Sequence, residues 1–170
     1  MELNALRSSN LAKRLTTSLR EADLRVPRAD ESEPQFTRAV LAPVIRAALG
    51  QLSGIDLQFR GDGGDTQAVP AAALDIDFYP DLAVSIGKQH IWAAEVKILR
   101  AVGRQNAIAT ALGQATLYRT RYEHVLVVLI DVAPVSRDSQ LQLLDSAQRM
   151  GLEVVLRTRV GKFLMQQVRP

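Results

Sequence analysis

Apolar positions along this chain change period twice. Leu11, Leu15 and Leu19 recur at i, i+4 and i+8, with Leu3 and Leu6 upstream. That spacing predicts a helix over 3–24 with one apolar stripe. VPRADESEP, 26–34, is polar, bounded by two prolines, and reads as a linker. Phe36, Val40, Val44 and Ala47 then restore a helical period over 34–49. Ser32 is placed to cap this helix, Gly50 to stop it, and Pro43 to kink or split it.

From residue 55 the period becomes two. Ile55, Leu57 and Phe59 alternate with polar residues and predict a strand. GDGGD, 61–65, is a turn-rich loop, and three strand pieces follow: Leu74–Tyr79, Asp81–Ile86 and Ile91–Leu99. A helix is expected from Arg104 to Tyr122. HVLVVLIDV, 124–132, is apolar throughout and reads as a central strand buried on both faces. A helix over 137–150, stopped by Gly151, leads to LEVVLRTRV and KFLMQQV as a closing strand pair. The order predicts an α/β fold with a mixed sheet flanked by helices. The chain divides into a helix and linker, 1–33, and a main domain, 34–170.

Composition narrows the chemistry. The 170 residues contain no cysteine and two histidines, His90 and His124. Thiolate zinc, iron–sulfur and cysteine-nucleophile chemistry are excluded, and so is a three-histidine metal site within one chain. A metal here must be held mainly by oxygen. The formal net charge of +3 permits a nucleic-acid partner without demanding one. No apolar run approaches the ~18 residues a spanning helix needs, so no membrane partner is expected. The first residues lack the apolar core of a signal peptide, and the expected compartment is the cytoplasm.

The informative stretch is FYPDLAVSIGKQHIWAAEVKIL, 78–99. Glu95 and Lys97 are two apart on a strand and share a face with Ile91, Ala93 and Leu99; Trp92, Ala94, Val96 and Ile98 form the other. Opposite charges thus interrupt a strand that is otherwise apolar on both sides, and buried charges must be paired or bound to metal. If Gly87-Lys88-Gln89 is a three-residue hairpin loop, Ile86 faces His90 and Asp81 faces Glu95, with β-carbons ~5 Å apart. Facing carboxylates repel. The arrangement makes sense with a divalent cation between them, or with Lys97 neutralising one. A shift of one residue would move Asp81 to the other face. Two carboxylates and a lysine suit phosphodiester hydrolysis, because magnesium takes carboxylate oxygen and retains waters.

Pro80-Asp81 followed, with thirteen residues between, by Glu95-Val96-Lys97 resembles the PD-(D/E)XK nuclease superfamily. The resemblance implies a restriction-endonuclease-like core, α-β-β-β-α-β, reproduced in order by 34–131. It implies magnesium or manganese held by Asp81, Glu95, the Val96 position and a helix-borne acid, with Lys97 assisting the attacking water. Glu33 matches that acid best, since it shares a face with Phe36 and Val40; Glu31 is the reserve. Gln114-Ala-Thr-Leu-Tyr118 is similar to the Q-x-x-x-Y pattern of the RecB-like branch, in which both residues lie near the site. Gln114 would support it. Unlike many RecB-like nucleases, the chain has no cysteines for an iron–sulfur cluster, and it carries no evident specificity domain.

The expected activity is therefore metal-dependent cleavage of nucleic acid, with DNA favoured, and Arg100, Arg104, Arg119 and Arg121 bordering the site as phosphate contacts. Two other readings use the same residues. One is a non-catalytic nuclease-fold module that binds nucleic acid or a protein, with Glu95 and Lys97 a simple ion pair. The other is a structural subunit that forms a homodimer through the N-terminal helix.

Overall fold

The computed structural model describes residues 2–50, 54–59, 68–73, 75–133, 136–158 and 161–166. The GDGGD loop lies outside them, as does Leu74. Helix α1 spans Glu2–Glu21. Helix α2, Glu33–Phe36, passes through a π-helical turn, Thr37–Leu41, into α3, Ala42–Leu49. Strands follow: β1 Ile55–Phe59, β2 Ala71–Ala73, β3 Ile76–Phe78, β4 Leu82–Ile86 and β5 Gln89–Leu99. Then come α4 Arg104–Tyr118, β6 His124–Asp131, α5 Arg137–Arg149, β7 Glu153–Thr158 and β8 Gly161–Gln166.

The main sheet has the order β1-β4-β5-β6-β7-β8 and is mixed: β5-β6 and β6-β7 are parallel, the other pairs antiparallel. One face packs against α1, α3 and the π turn through Trp92, Ala94, Val96, Leu126 and Val128. The other packs against α4 and α5 through Ala93, Leu99, Val127 and Leu129. Burial on both faces is why β6 reads as an unbroken apolar run; all of it after His124 is buried.

Three features depart from the sequence reading. The piece expected over Leu74–Tyr79 is reduced to β3, which leaves the main sheet and pairs with β2. The neighbour of β4 is β1. The helix expected to run to Tyr122 ends at Tyr118, where a turn accepts the amides of Arg121 and Tyr122 at the Tyr118 carbonyl. The stripe expected at Phe36, Val40, Val44 and Ala47 changes phase. The buried set is Phe36, Thr37, Leu41, Ala42, Ile45, Ala48 and Leu49, while Ala47 is exposed. Pro43 has no amide proton for an α-helical bond, and the chain widens just before it: the Ala42 amide donates to the Thr37 carbonyl, five residues back. The extra residue rotates the stripe. Capping followed the sequence: Ser32 and Gln35 form a reciprocal capping box, and Gly50 ends α3 at φ 62°.

Helix α1 packs on the core. Leu11, Leu15 and Leu19 are buried in the same cluster as β5 and β6. These three leucines are thus covered by their own chain.

Candidate functional site

The β4-β5 hairpin carries the site. Its loop is two residues, not three: Ile86 pairs with Gln89 and Ser85 with His90. The register then shifts between Val84 and Ser85, and Val84 faces Trp92, Ala83 faces Ala93 and Leu82 faces Ala94. Ile91 and Trp92, consecutive in sequence, both join the α1–α3 side of the core, as a bulge requires. The shorter loop would have sent Asp81 to the wrong face. The bulge restores the alignment, so that Asp81, just before β4, comes level with Glu95.

Strand β5 outruns β4. The amides of Val96 and Ile98 face the vacated edge and are met by carboxylates: Asp81 Oδ2 accepts from Val96 N at 2.7 Å, and Glu33 Oε1 accepts from Ile98 N at 3.1 Å. The amide and carbonyl of one strand residue point to the same neighbour, so the Val96 carbonyl faces this edge too. Glu95 is fully buried and Asp81 nearly so. Lys97 Nζ lies 2.8 Å from Glu95 Oε1 and 3.1 Å from Glu33 Oε2, bridging the two. The Lys97 ammonium offsets the Glu95 charge in this arrangement. Glu95 Oε1 is buried, and the Lys97 ammonium is the group that meets it.

Burial, then the neighbouring Asp81 charge, pushes the Glu95 carboxyl up to about 7 against the pull of Lys97 and of the Tyr118 hydroxyl. Burial would lower Lys97, but Glu95, Asp81 and Glu33 outweigh it and raise it. The Tyr118 hydroxyl is 2.9 Å from both Glu95 Oε2 and the Tyr79 carbonyl, and its single proton serves one at a time.

Gln114 stands one turn before Tyr118 on α4. Its Oε1 is buried without a hydrogen-bond partner. Glu31 is spent elsewhere, on Arg25. The arginines expected as phosphate contacts are largely committed to the chain itself. Arg100 donates to the Glu31 carbonyl, Arg104 to Asp131 and the Ala133 carbonyl, and Arg119 to the Met150 carbonyl. Sequence reasoning missed Arg25 and the Asp131–Arg104 pair; both depend on loop and strand-end geometry that no period encodes.

Among the described residues, no three acidic or imidazole groups stand ready as a metal cage. The donor chemistry nevertheless fits magnesium. Asp81, Glu95 and the Val96 carbonyl are all hard oxygen donors, and magnesium is commonly held by one or two carboxylates with waters and substrate phosphate. Glu33 fits less well as a direct ligand, since both its oxygens are engaged by Lys97 and Ile98. Beside Glu33 and Arg100 opens a groove of about 480 Å³. No helix among the described residues is long and apolar enough to cross a membrane. No family model matches the chain, and neither a curated protein nor a solved structure is significantly similar to it.

Proposed function

We propose that the chain is a metal-dependent nuclease of the PD-(D/E)XK type, hydrolysing phosphodiester bonds with DNA as the favoured substrate. The observation that carries this reading is the convergence of Asp81, Glu95, Lys97 and Glu33 on the stretch of β5 that β4 leaves open. The succession α3, β1, β4, β5, α4, β6, with β2-β3 inserted, supports a restriction-endonuclease-like core.

Asp81, Glu95 and the Val96 carbonyl would hold Mg²⁺ or Mn²⁺, which supplies Lewis acidity and a water of lowered pKa. Lys97 orients the attacking water and offsets charge developing on the phosphate. Glu33 holds the ammonium from its outer side, and Tyr118 fixes the Glu95 carboxylate. Cytoplasmic location accords with this chemistry.

One observation favours a non-catalytic module instead: Val96 N, Ile98 N, Lys97 and Tyr118 already meet most of the acidic oxygens. A magnesium titration paired with a cleavage assay on single-stranded, double-stranded and branched DNA and on RNA separates the two. The nuclease reading expects binding with cleavage. Binding of nucleic acid that is indifferent to the metal, without cleavage, supports the module.

A further inference from the structure

Glu33 reaches Lys97 from a segment that has little regular structure to define it. Between the end of α1 at Glu21 and the start of α2 at Glu33 the chain forms neither helix nor strand. Its first part is held by buried Leu24, whose carbonyl accepts from Arg157, and its last part is gathered by the Glu31 carboxylate. Glu31 receives Arg25 through both oxygens, at 2.5 and 2.7 Å, and accepts the Arg28 amide at 3.0 Å. Its backbone carbonyl accepts from Arg100 NH2 at 2.7 Å. Arg25 lies 5.4 Å over the ring of Phe36, which is fully buried. Arg100 follows Lys97 by three residues at the exit of β5. The linker is thus fastened to the core through Phe36 and to the strand that carries Lys97.

We propose that Glu31, Arg25 and Arg100 form a clamp that positions Glu33 against Lys97 and the Ile98 amide. Glu31 is a positioning residue and not a metal ligand. The bidentate pairing supplies direction as well as attraction, because the guanidinium fork matches both carboxylate oxygens in one plane. The Arg25 side chain is 41% exposed and that of Glu31 10%. A pair open to solvent on one side adds modestly to global stability, so breaking it should register more in the site than in the fold. The consequence for cleavage rests on the nuclease reading; the consequence for the Ile98 amide does not.

The test reads hydrogen exchange at Ile98, whose amide donates to Glu33 on the side of β5 where no strand pairs with it among the described residues. In Glu31→Ala and in Arg25→Ala, Ile98 exchange should accelerate towards the Glu33→Ala value while the melting temperature stays close to wild type. Metal-dependent cleavage should fall roughly 10–100-fold, the usual effect of losing a supporting partner. Glu31→Gln, which keeps an acceptor for Arg25 and Arg28, should recover part of both. Adding Glu31→Ala to Glu33→Ala should change neither. Unchanged Ile98 exchange in the two alanine variants overturns the clamp, and so does an acceleration that persists undiminished in the Glu33→Ala background. A wild type that cleaves nothing removes the nuclease reading alone, and Ile98 exchange still decides the clamp.

Discussion

Asp81 Oδ2 accepts a hydrogen bond from the Val96 amide at 2.7 Å, in the place on β5 where a neighbouring strand would offer a carbonyl. A carboxylate doing the work of a strand edge is held rigidly. It is also held close enough to Glu95 for its charge to help raise that carboxyl to about 7, after burial. The site is therefore loaded with like charge that Lys97 only partly offsets.

Relief of that charge should be visible as metal-dependent stability. Magnesium or manganese should raise the melting temperature of the wild type, and Asp81→Asn with Glu95→Gln should abolish the shift. The pH dependence has a definite sign. Glu95 titrates near 7 in the folded chain against an ordinary 4.5, so between those values the folded state binds more protons. Its contribution to stability falls as pH rises through that window. A cation competes with the same proton, so the metal-induced shift should grow as pH rises through about 7 and fade below it. Melting curves at pH 5 and pH 8 measure this, and equal shifts at both would count against the assignment.

Tyr118→Phe keeps the buried ring and removes the hydroxyl that helps hold Glu95 ionised. The carboxyl should rise further, and the acidic limb of the pH–rate profile should move to higher pH. Loss of a buried hydrogen bond should cost about 1–3 kcal/mol of stability by denaturant titration. An unmoved profile would show that Tyr118 serves the Tyr79 carbonyl instead.

Helix α1 should be needed for folding. Leu15 is fully buried, so Leu15→Ala should cost about 2–5 kcal/mol. A chain beginning near Val26 loses Leu11, Leu15 and Leu19 from the core and should melt far below the full chain. Urea denaturation checks both.

Elements with one consistent pattern were legible in the sequence, and those set by competition were not. The uniform apolar run of β6 and the charges placed two apart on β5 left little choice of face. Ser32 and Gly50 act through bonds a few residues long. The stripe after Phe36 was ambiguous because Val40 and Val44 sit beside Leu41 and Ile45, so hydrophobicity fits either phase, and Pro43 decides between them through the π turn. The alignment of Asp81 with Glu95 was reached from the wrong loop length, with the bulge making up the difference. The Glu31–Arg25 clamp leaves no periodic trace.

In the proposed nuclease Lys97 acts on the reacting phosphate and not merely on Glu95. The most direct test is the magnesium-dependent cleavage rate of Lys97→Ala beside its melting temperature. The variant should stay folded, still bind nucleic acid and metal, and lose ~10²–10³ in rate. Glu95, with its raised carboxyl, can take up a proton once its partner is gone, which limits the loss of stability. A strongly destabilised variant, beside a wild type that shows no magnesium-dependent cleavage of any DNA or RNA form, would contradict the claim and leave Glu95 and Lys97 as a structural ion pair.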